Sequence, residues 1–435
     1  NSHVSIADAN ARIIERMATQ PLGSSVGADV RVTESGDDKF YAAIRDGLLT
    51  RAQSSARIRR SLFGDDSKPA EGHRDFASLN LNRVAMACLQ RAGAPVERMS
   101  NIEIAQAAMG NQRILAKYRI QRASDTTTSA YHTSGTFTNL LLDASNKTLL
   151  AGYEEAPYTW NLWARTASSV EDFKSINRMR FSEAGNPEEV PEGANYPEKA
   201  MSDSKESYKV AKYGESFSAT WETIINDDLD AISRIPAMHG NAMRRLQNKK
   251  AYEVLTSNPT MGDGQALFSS SHASGDNTSG SAAAPSVSTL NAGFSKMMLQ
   301  KGLNSDAILN IQPRFIIVPV NYAATTLQLT ASLSDPLAGG SAAGNSNTLN
   351  IYGPSGVRPL QVIVEAQLDG NSTTNWYLAA DSGQVDTVEL AFLSGEESPV
   401  LESEWNMKND TYLYKIRQTF GVKAIDWRGL FRNSA

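Results

Sequence analysis

The sequence predicts an α+β chain: a helical N-terminal region, a long polar β-hairpin, one long helix, and a C-terminal half that mixes helices and strands. Three observations carry this. Apolar residues recur at helical spacing in short runs through the first 150 positions. Two alternating segments between 171 and 220 flank a stretch of turn formers and charges. From 289 onward, β-rich runs such as RFIIVPV and LQVIVEA interleave with helical ones. With 435 residues, the chain has room for about two to four structural units at roughly 100–200 residues each. A hydrophobic content of 41% with six Trp is enough to build cores, which excludes an intrinsically disordered polypeptide.

Residues 1–20 place Ile6, Ile13, Ile14 and Met17 at helical spacing, with Asp8 as a cap. Residues 21–36 are rich in Gly, Ser and Val and read as extended. A helix over 38–53 sets Phe40, Ile44 and Leu48 on one face. The next, over 78–93, runs through Leu79, Val84, Met86 and Leu89 and stops at Gly93-Ala94-Pro95. Cys88 on it reads as a small core residue. Ser100 followed by Glu103 is a capping box for a helix over 100–109. Another helix covers 133–150, and 153–170 is aromatic-rich. The first 120 residues thus read as small helices without a large continuous core, expected to lie on something else.

DFKSINRMRFSE and YKVAKYGESFSAT each alternate like a strand with one polar face. Joined by the polar stretch between them, they predict an extended hairpin with too few apolar residues to fold against itself. Such a hairpin is expected to be supported by another chain or to remain mobile. Helical period returns over 222–256, with Asp227 or Asp228 as cap and Pro236 and Gly240 as candidate irregularities. Residues 269–288 are low-complexity and loop-like. A helix at 289–302, a strand at 314–320 and a helix at 321–333 follow, then a Gly/Ser/Asn loop. Strands are expected at 360–366, 375–379 and 387–393, and a long one at 411–427 with a break at Gly421.

Several function classes are disfavoured by composition and motif. Forty-two Lys+Arg against 47 Asp+Glu give a net charge of -5, unlike a dedicated nucleic-acid binder. A single cysteine excludes a disulfide framework and a four-cysteine zinc site. No apolar run is long enough to span a membrane, and the N-terminus lacks the apolar stretch of a signal peptide. His3, His73, His132, His239 and His272 stand at no metal-ligand spacing. His239 reads as packing or interface, and His272, nine residues after Asp263, is the weak metal candidate. There is no GxSxG elbow, and Gly339 to Gly344 lacks the Lys-Ser/Thr of a phosphate loop. The carboxylate pairs Asp227/Asp228, Glu188/Glu189 and Glu396/Glu397 suit helix capping and polar turns. No catalytic, cofactor-binding or metal-binding residue is therefore expected. A basic patch of Arg51, Arg57, Arg59 and Arg60 reads as a solvated face or as a contact for an acidic partner or polyanion. An arm, an unsupported hairpin and a long helix, much of which only neighbours can satisfy, describe a subunit of an assembly.

One stretch is more specific. The string KESYKVAKYGESFSATWETIINDDLDAISRIPAMHGNAMRRLQNKKAYEVLTSNPTMGDGQALF at 205–268 resembles the major head subunit of Mu-type tailed phages. The likeness continues through LNIQPRFIIVPV at 309–320 and reaches FGVKAIDWRGLF at 420–431. Upstream, TFTNLLLDASNKTLLAGYEEAPYTWNLWA and VEDFKSINRMRFSE are similar to the capsid half of a variant encoded as a prohead protease/major capsid fusion. Residues 133–435 match well, and residues 1–130 only in helical character.

The resemblance implies the Hong Kong 97 capsid fold. Carried over by segment, 1–125 is the helical N-terminal arm region, 126–166 the first part of the peripheral domain, and 167–220 the extended loop over a neighbouring subunit. Residues 221–285 hold the peripheral domain with its spine helix, 286–385 the axial domain, and 386–435 the returning peripheral strands. It implies hexamers and pentamers in an icosahedral head, in a virion assembled in the bacterial host cytoplasm. Implied partners are portal, scaffold and prohead protease, a decoration protein as a further candidate, and packaged double-stranded DNA by weak non-specific contact. No cofactor, membrane partner or identifiable cross-link is expected. Asn1 is a candidate cleavage product of the protease, the alternative being a first ordered residue. Glu188, Glu189, Glu192, Tyr196, Lys199 and Lys205 of the hairpin are candidate inter-subunit contacts, and Arg51, Arg57, Arg59 and Arg60 candidate DNA- or scaffold-facing residues. A nanocompartment shell of the same fold is the alternative, and a hydrolase the remote one.

Overall fold

The structure, a computed structural model, describes residues 36–51, 69–118, 135–181, 189–192, 195, 203–220, 229–272, 275–279, 283–303, 307–331, 350–354, 356–406 and 411–434. The chain divides into two compact units, Asn1–Tyr41 and Ala42–Ala435. The described part of the first is the opening of helix α1 (Gly36–Arg51), where the rings of Phe40 and Tyr41 meet edge to face at 5.4 Å. The expected helix over 1–20 and the caps Asp227 and Asp228 lie outside the described residues.

The second unit begins with small helices: α2 (His73–Ala77), α3 (Leu81–Arg91), α4 (Asn101–Ala108) and α5 (Gln112–Lys117). Helix α3 turns Leu81, Val84, Cys88 and Leu89 inward and Arg83 and Gln90 outward, the pattern of a helix with one buried face. Helix α4 starts at the expected capping box: the Glu103 N–H donates to Ser100 Oγ at 3.2 Å and the Ser100 N–H to Glu103 Oε2 at 2.9 Å. The longer α6 (Gly135–Glu155) touches both α3 and α4, and Leu89, Ile104 and Phe137 are each at most 1% exposed. The small helices thus pack on a later element, in line with the expectation that this region lies on something else. Alanines at 85, 105, 107 and 108 let the short helices approach closely, so few large side chains are needed.

After the short α7 (Trp160–Trp163) and β1 (Arg165–Thr166) come the hairpin strands β2 (Ile176–Phe181) and β3 (Asp203–Tyr208), then β4 (Ala211–Thr220). The long helix α8 (Leu229–Ser257) has 29 residues, about 44 Å at 1.5 Å per residue. It runs through Pro236 and Gly240 without a break. Gly240 is needed for packing: a Cβ there would sit 2.2 Å from the Leu149 carbonyl oxygen, and one at Gly152 would sit 2.3 Å from that of Ala237. The two glycines let α6 and α8 cross backbone against backbone.

The C-terminal half contains α9 (Val287–Met298), β5 (Pro313–Val318), α10 (Ala323–Ala331), β6 (Gln361–Val364), β7 (Trp376–Ala380), β8 (Val388–Phe392), β9 (Val400–Asn406), β10 (Thr411–Ala424) and β11 (Leu430–Asn433). One sheet has the order β1-β8-β10-β4, with β9 also paired to β10. A second has the order β11-β7-β5-β6. On the second sheet, period-2 alternation divides the buried residues between two cores. Phe315, Ile317, Tyr377 and Ala379 face a core shared with α7, α8 and the first sheet. Ile316, Val318, Trp376 and Leu378 face Leu290, Phe294 and Met297 of α9.

Three strand expectations need correction. The segment YKVAKYGESFSAT splits at Lys209-Val210: only its start pairs with β2, while β4 leaves the hairpin to pair with β10 from Thr411 to Phe420. The expected strand at 411–427 ends at Ala424, and β11 crosses to the other sheet. Strand β9, whose VLESEWN carries two acids, was not expected. Its pairing with β10 comes from tertiary contact rather than from an apolar run.

Candidate functional site

The hairpin is the element singled out by sequence, and its own residues explain how it is held. Ile176 and Tyr208 at its base pack with Val170, Val210, Ala391 and Leu393 in a small apolar cluster on the outer face of the first sheet. Above this cluster the contacts become ionic. Arg178 Nε donates to Glu389 Oε1 on β8 at 2.7 Å, and the Tyr208 hydroxyl donates to the same oxygen at 2.5 Å. Glu389 is 4% exposed. Burial, and then the bond to Glu389, push the Tyr208 phenol well above its ordinary range, and the same carboxylate raises Arg178 further. Both groups therefore keep their protons as donors.

Two further contacts reach other elements. Arg180 Nη1 lies 2.6 Å from Asp426 Oδ2, whose carboxylate is also held by Arg428 at 3.0 Å. The Gly262 N–H donates to buried Glu206 Oε1 at 2.5 Å, and Lys423 stands 3.6 Å from its other oxygen. A Cβ at Gly262 would lie 2.5 Å from the Lys205 carbonyl oxygen, so glycine is required for the loop after α8 to close on β3. The expectation that another chain supports the hairpin or that it remains mobile is corrected for the base, which rests on its own chain. A local signal for this existed: Glu389 is a lone acid in the apolar run VELAF, and such a residue is buried only with a partner.

Of the expected contact residues, Glu189 and Glu192 are exposed between the strands, and Lys205 is exposed on β3. Glu188, Tyr196 and Lys199 lie outside the described residues, as do Arg57, Arg59 and Arg60, while Arg51 is the last residue of α1. His239 stacks on Phe217 with ring centroids 5.1 Å apart and stands 3.3 Å from Glu215, a packing role. His272 is buried, stacked at 3.9 Å on Trp427, with Nδ1 2.7 Å from Asp263 Oδ2. Among the described residues no group of His, Cys, Asp and Glu could hold a metal ion. None of their helices is long and apolar enough to cross a membrane.

A second surface emerges only in the structure. Val320, Leu327, Ile351 and Val357 are 52%, 49%, 50% and 84% exposed, around α10 and the segment before β6. Between Arg314 and Arg358 the sequence holds a single charged residue, Asp335. That scarcity of charge could have been read from sequence.

A family described as phage capsid protein matches residues 204–433, more than half of the chain. No curated protein matches the sequence. Among solved structures, the capsid of cyanophage P-SCSP1u aligns with a TM-score of 0.45 at 8% identity, covering 74% of this chain and 94% of that one. The mature capsid of bacteriophage PhiM1 aligns with a TM-score of 0.42 at 12% identity, covering 63% and 86%. A virus-like particle from Pyrococcus furiosus aligns with a TM-score of 0.39 at 10% identity, covering 66% and 97%. The family match begins inside β3 and takes in the Gly262 loop, the second sheet, every strand of the first sheet except β1, and the carboxylates that hold the hairpin, and on that match the chain belongs to the phage capsid protein family.

Proposed function

We propose that this chain is the major head subunit of a tailed double-stranded DNA phage of Mu-like type. In this reading it has the Hong Kong 97 fold and assembles as hexamers and pentamers of an icosahedral shell. The observation that carries the reading is the exposure of four apolar residues, Val320, Leu327, Ile351 and Val357, in a stretch with a single charged residue between Arg314 and Arg358. Exposed apolar side chains that gather in a patch mark an interaction site. Near a rotation axis each residue meets its own copies, so a charge there would repel itself, and a nearly charge-free segment suits that position. In this assignment residues 286–385 are the axial domain, with that surface at the capsomer axis. Residues 221–285 and 386–435 form the peripheral domain, 167–220 the extended loop, and 1–125 the arm region.

The hairpin supports the same reading. Its base is anchored to its own subunit, and exposed Glu189, Glu192 and Lys205 are available to a neighbour; in this reading Glu188, Tyr196 and Lys199 join them in the contact. Arg51, Arg57, Arg59 and Arg60 would face scaffold or DNA. The net charge of -5 suits a container that must not trap its genome. Portal, scaffold and a prohead protease, as in the fusion relatives, would act during assembly in the host.

Electron microscopy of the purified protein, together with size-exclusion chromatography, tests this. Closed icosahedral particles enclosing DNA are expected, and shells that hold protein cargo and no DNA would point to a nanocompartment instead. Leu327→Asp with Val357→Asp should abolish particles while leaving the thermal midpoint of the subunit unchanged. Normal particles from that double variant would refute the placement of this surface at an axis.

A further inference from the structure

Four cations crowd the middle of α8: Arg244, Arg245, Lys249 and Lys250. Two of them have partners. The Arg244 guanidinium stands 3.9 Å from the centroids of both the Tyr153 and Tyr158 rings, and Lys250 Nζ donates to Glu253 Oε2 at 2.7 Å. Arg245 and Lys249 are exposed and, among the described residues, form no ion pair. Both line a groove of about 420 Å3 between α8 and β4. The helix supplies an apolar floor of Ala242, Met243 and Leu246, and β4 supplies the wall through Tyr213, Gly214 and Glu215. Gly214 has no side chain and is exposed, so there the backbone of the strand itself faces the groove. Among the described residues β4 pairs only with β10, which leaves one side of its ladder open. Glu215 is the one acid of the lining, and it stands 3.3 Å from His239. His239 precedes Arg245 by six residues, about 9 Å along the helix. The groove therefore has an acid at one end and two unpaired cations at the other.

We propose that this groove docks an extended acidic segment of another protein, with carboxylates at alternate positions. The spacing sets that pattern. Arg245 and Lys249 lie one turn apart, about 6 Å along the axis. Alternate residues of an extended chain point to the same side and are about 6.6 Å apart. A strand laid along the β4 edge continues the ladder through its backbone and brings two successive carboxylates to the two cations. Its end beside Glu215 carries no acid, since like charges there repel. A nucleic acid fits less well, because it cannot continue a β-ladder and Glu215 repels its phosphates. The chain does not supply the segment itself. Carboxylates at alternate positions occur twice in its sequence, at Asp228/Asp230 and Glu402/Glu404. Asp230 belongs to α8, and Glu402 and Glu404 lie on β9, already paired with β10, where Lys415 and Arg417 hold Glu402. The occupant is therefore a different protein. The groove is distinct from the hairpin base and from the surface around α10, and the inference does not depend on the shell reading.

Fluorescence anisotropy of two labelled threonine decapeptides, titrated with dissociated subunits of the full chain, tests this. One peptide carries four glutamates at every second position. The other carries the same four in two adjacent pairs, two threonines apart, so that charge and composition are equal and only the spacing differs. The alternating peptide should bind about tenfold more tightly, as two exposed ion pairs together contribute. Arg245→Gln with Lys249→Gln should remove that advantage without moving the thermal midpoint, since both side chains are exposed. Equal affinities of the two peptides for the unaltered chain, no binding of either, or an advantage that survives the double variant would each overturn the proposal. The first comparison needs no variant, so it decides even if the double variant does not fold. A short DNA duplex is the third probe. Duplex binding that exceeds peptide binding and is lost in the double variant would assign the two cations to nucleic acid and overturn the peptide site. Particle formation enters none of these measurements, so failure here leaves the shell reading standing.

Discussion

The crossing of α6 and α8 yields a quantitative prediction, because two helices approach there more closely than any side chain allows. Gly240→Ala would place a Cβ 2.2 Å from the Leu149 carbonyl oxygen and 2.8 Å from the Tyr153 nitrogen, where ordinary contact begins at 3.4 Å. Both obstructing groups belong to the backbone of a helix and cannot rotate aside, so the helices must separate by about 1 Å, at the upper end of the roughly 1–3 kcal/mol for overpacking. Alanine recovers about 1 kcal/mol of helix propensity over glycine, for a net loss of about 2 kcal/mol. The separation would also strain the buried bonds that tie the helices together and to β10, Gln247 Nε2 to Tyr153 at 2.8 Å and to Gln418 Oε1 at 2.8 Å. Thermal unfolding of dissociated subunits, followed by tryptophan fluorescence, should show a midpoint lowered by about 2 °C, the shift that a loss of this size gives in a chain of 435 residues. Gly152→Ala meets the Ala237 carbonyl in the same crossing and should behave alike. The double variant should lose less than the sum, since the second Cβ enters helices already apart. A Gly240→Ala midpoint that stays level or rises would mean that only propensity operates and that the helices do not touch there.

Three other outcomes follow from the same contacts. Glu389→Ala leaves Arg178 and Tyr208 without their shared acceptor and should cost about 2–4 kcal/mol; hydrogen exchange should quicken in 176–181 and 203–208 first, and uniform quickening across the chain would count against an anchor at the hairpin base. The Glu103 carboxyl is lowered from 4.5 to about 2, chiefly by its bond to Lys117 and then by the Ser100 N–H. Its folded value lies below the unfolded one, so its contribution is present above pH 4.5 and is lost as the pH falls towards 2; an NMR titration midpoint for Glu103 near 4.5 would refute the capping geometry. Burial pushes the Cys88 thiol up to about 12, so maleimide should not label the folded chain at pH 8 and should label it fully in urea. Rapid labelling without denaturant would show that α3 does not bury that face.

The anchoring of the hairpin bears on how such a subunit handles its neighbours. The apolar part of the base is small, and orientation depends on three buried carboxylates: Glu389 and Asp426, reached by Arg178 and Arg180 of β2, and Glu206, reached from the Gly262 loop. Buried ion pairs contribute little net stability against an apolar replacement, but breaking one side is costly, so they favour one angle of the hairpin over others. In the shell reading proposed above, that serves assembly, since a hairpin that reaches a neighbour is useful only if it projects in one direction.

Local chemistry was legible in the sequence. Ser100 and Glu103 form their capping box because both partners lie within one turn. The helix around Val84 to Leu89 was readable because burial on a helix repeats every three to four residues, and the existence of a polar hairpin was readable from its alternation and charges. The strings from Lys205 to Phe268 and from Phe420 to Phe431 pointed to the phage capsid family, and the family match confirmed that much. Tertiary structure alone decided the partners. Alternation shows which face of a strand is buried but not which strand lies beside it, so β4 was assigned to β2 although it pairs with β10. Gly240 looked like an irregularity because a glycine's purpose depends on what approaches it, here a carbonyl ninety-one positions earlier in the chain. The lone acid Glu389 in VELAF signals a partner but does not name it, and the arginines that reach Glu389 and Asp426 come from a strand more than 200 positions away.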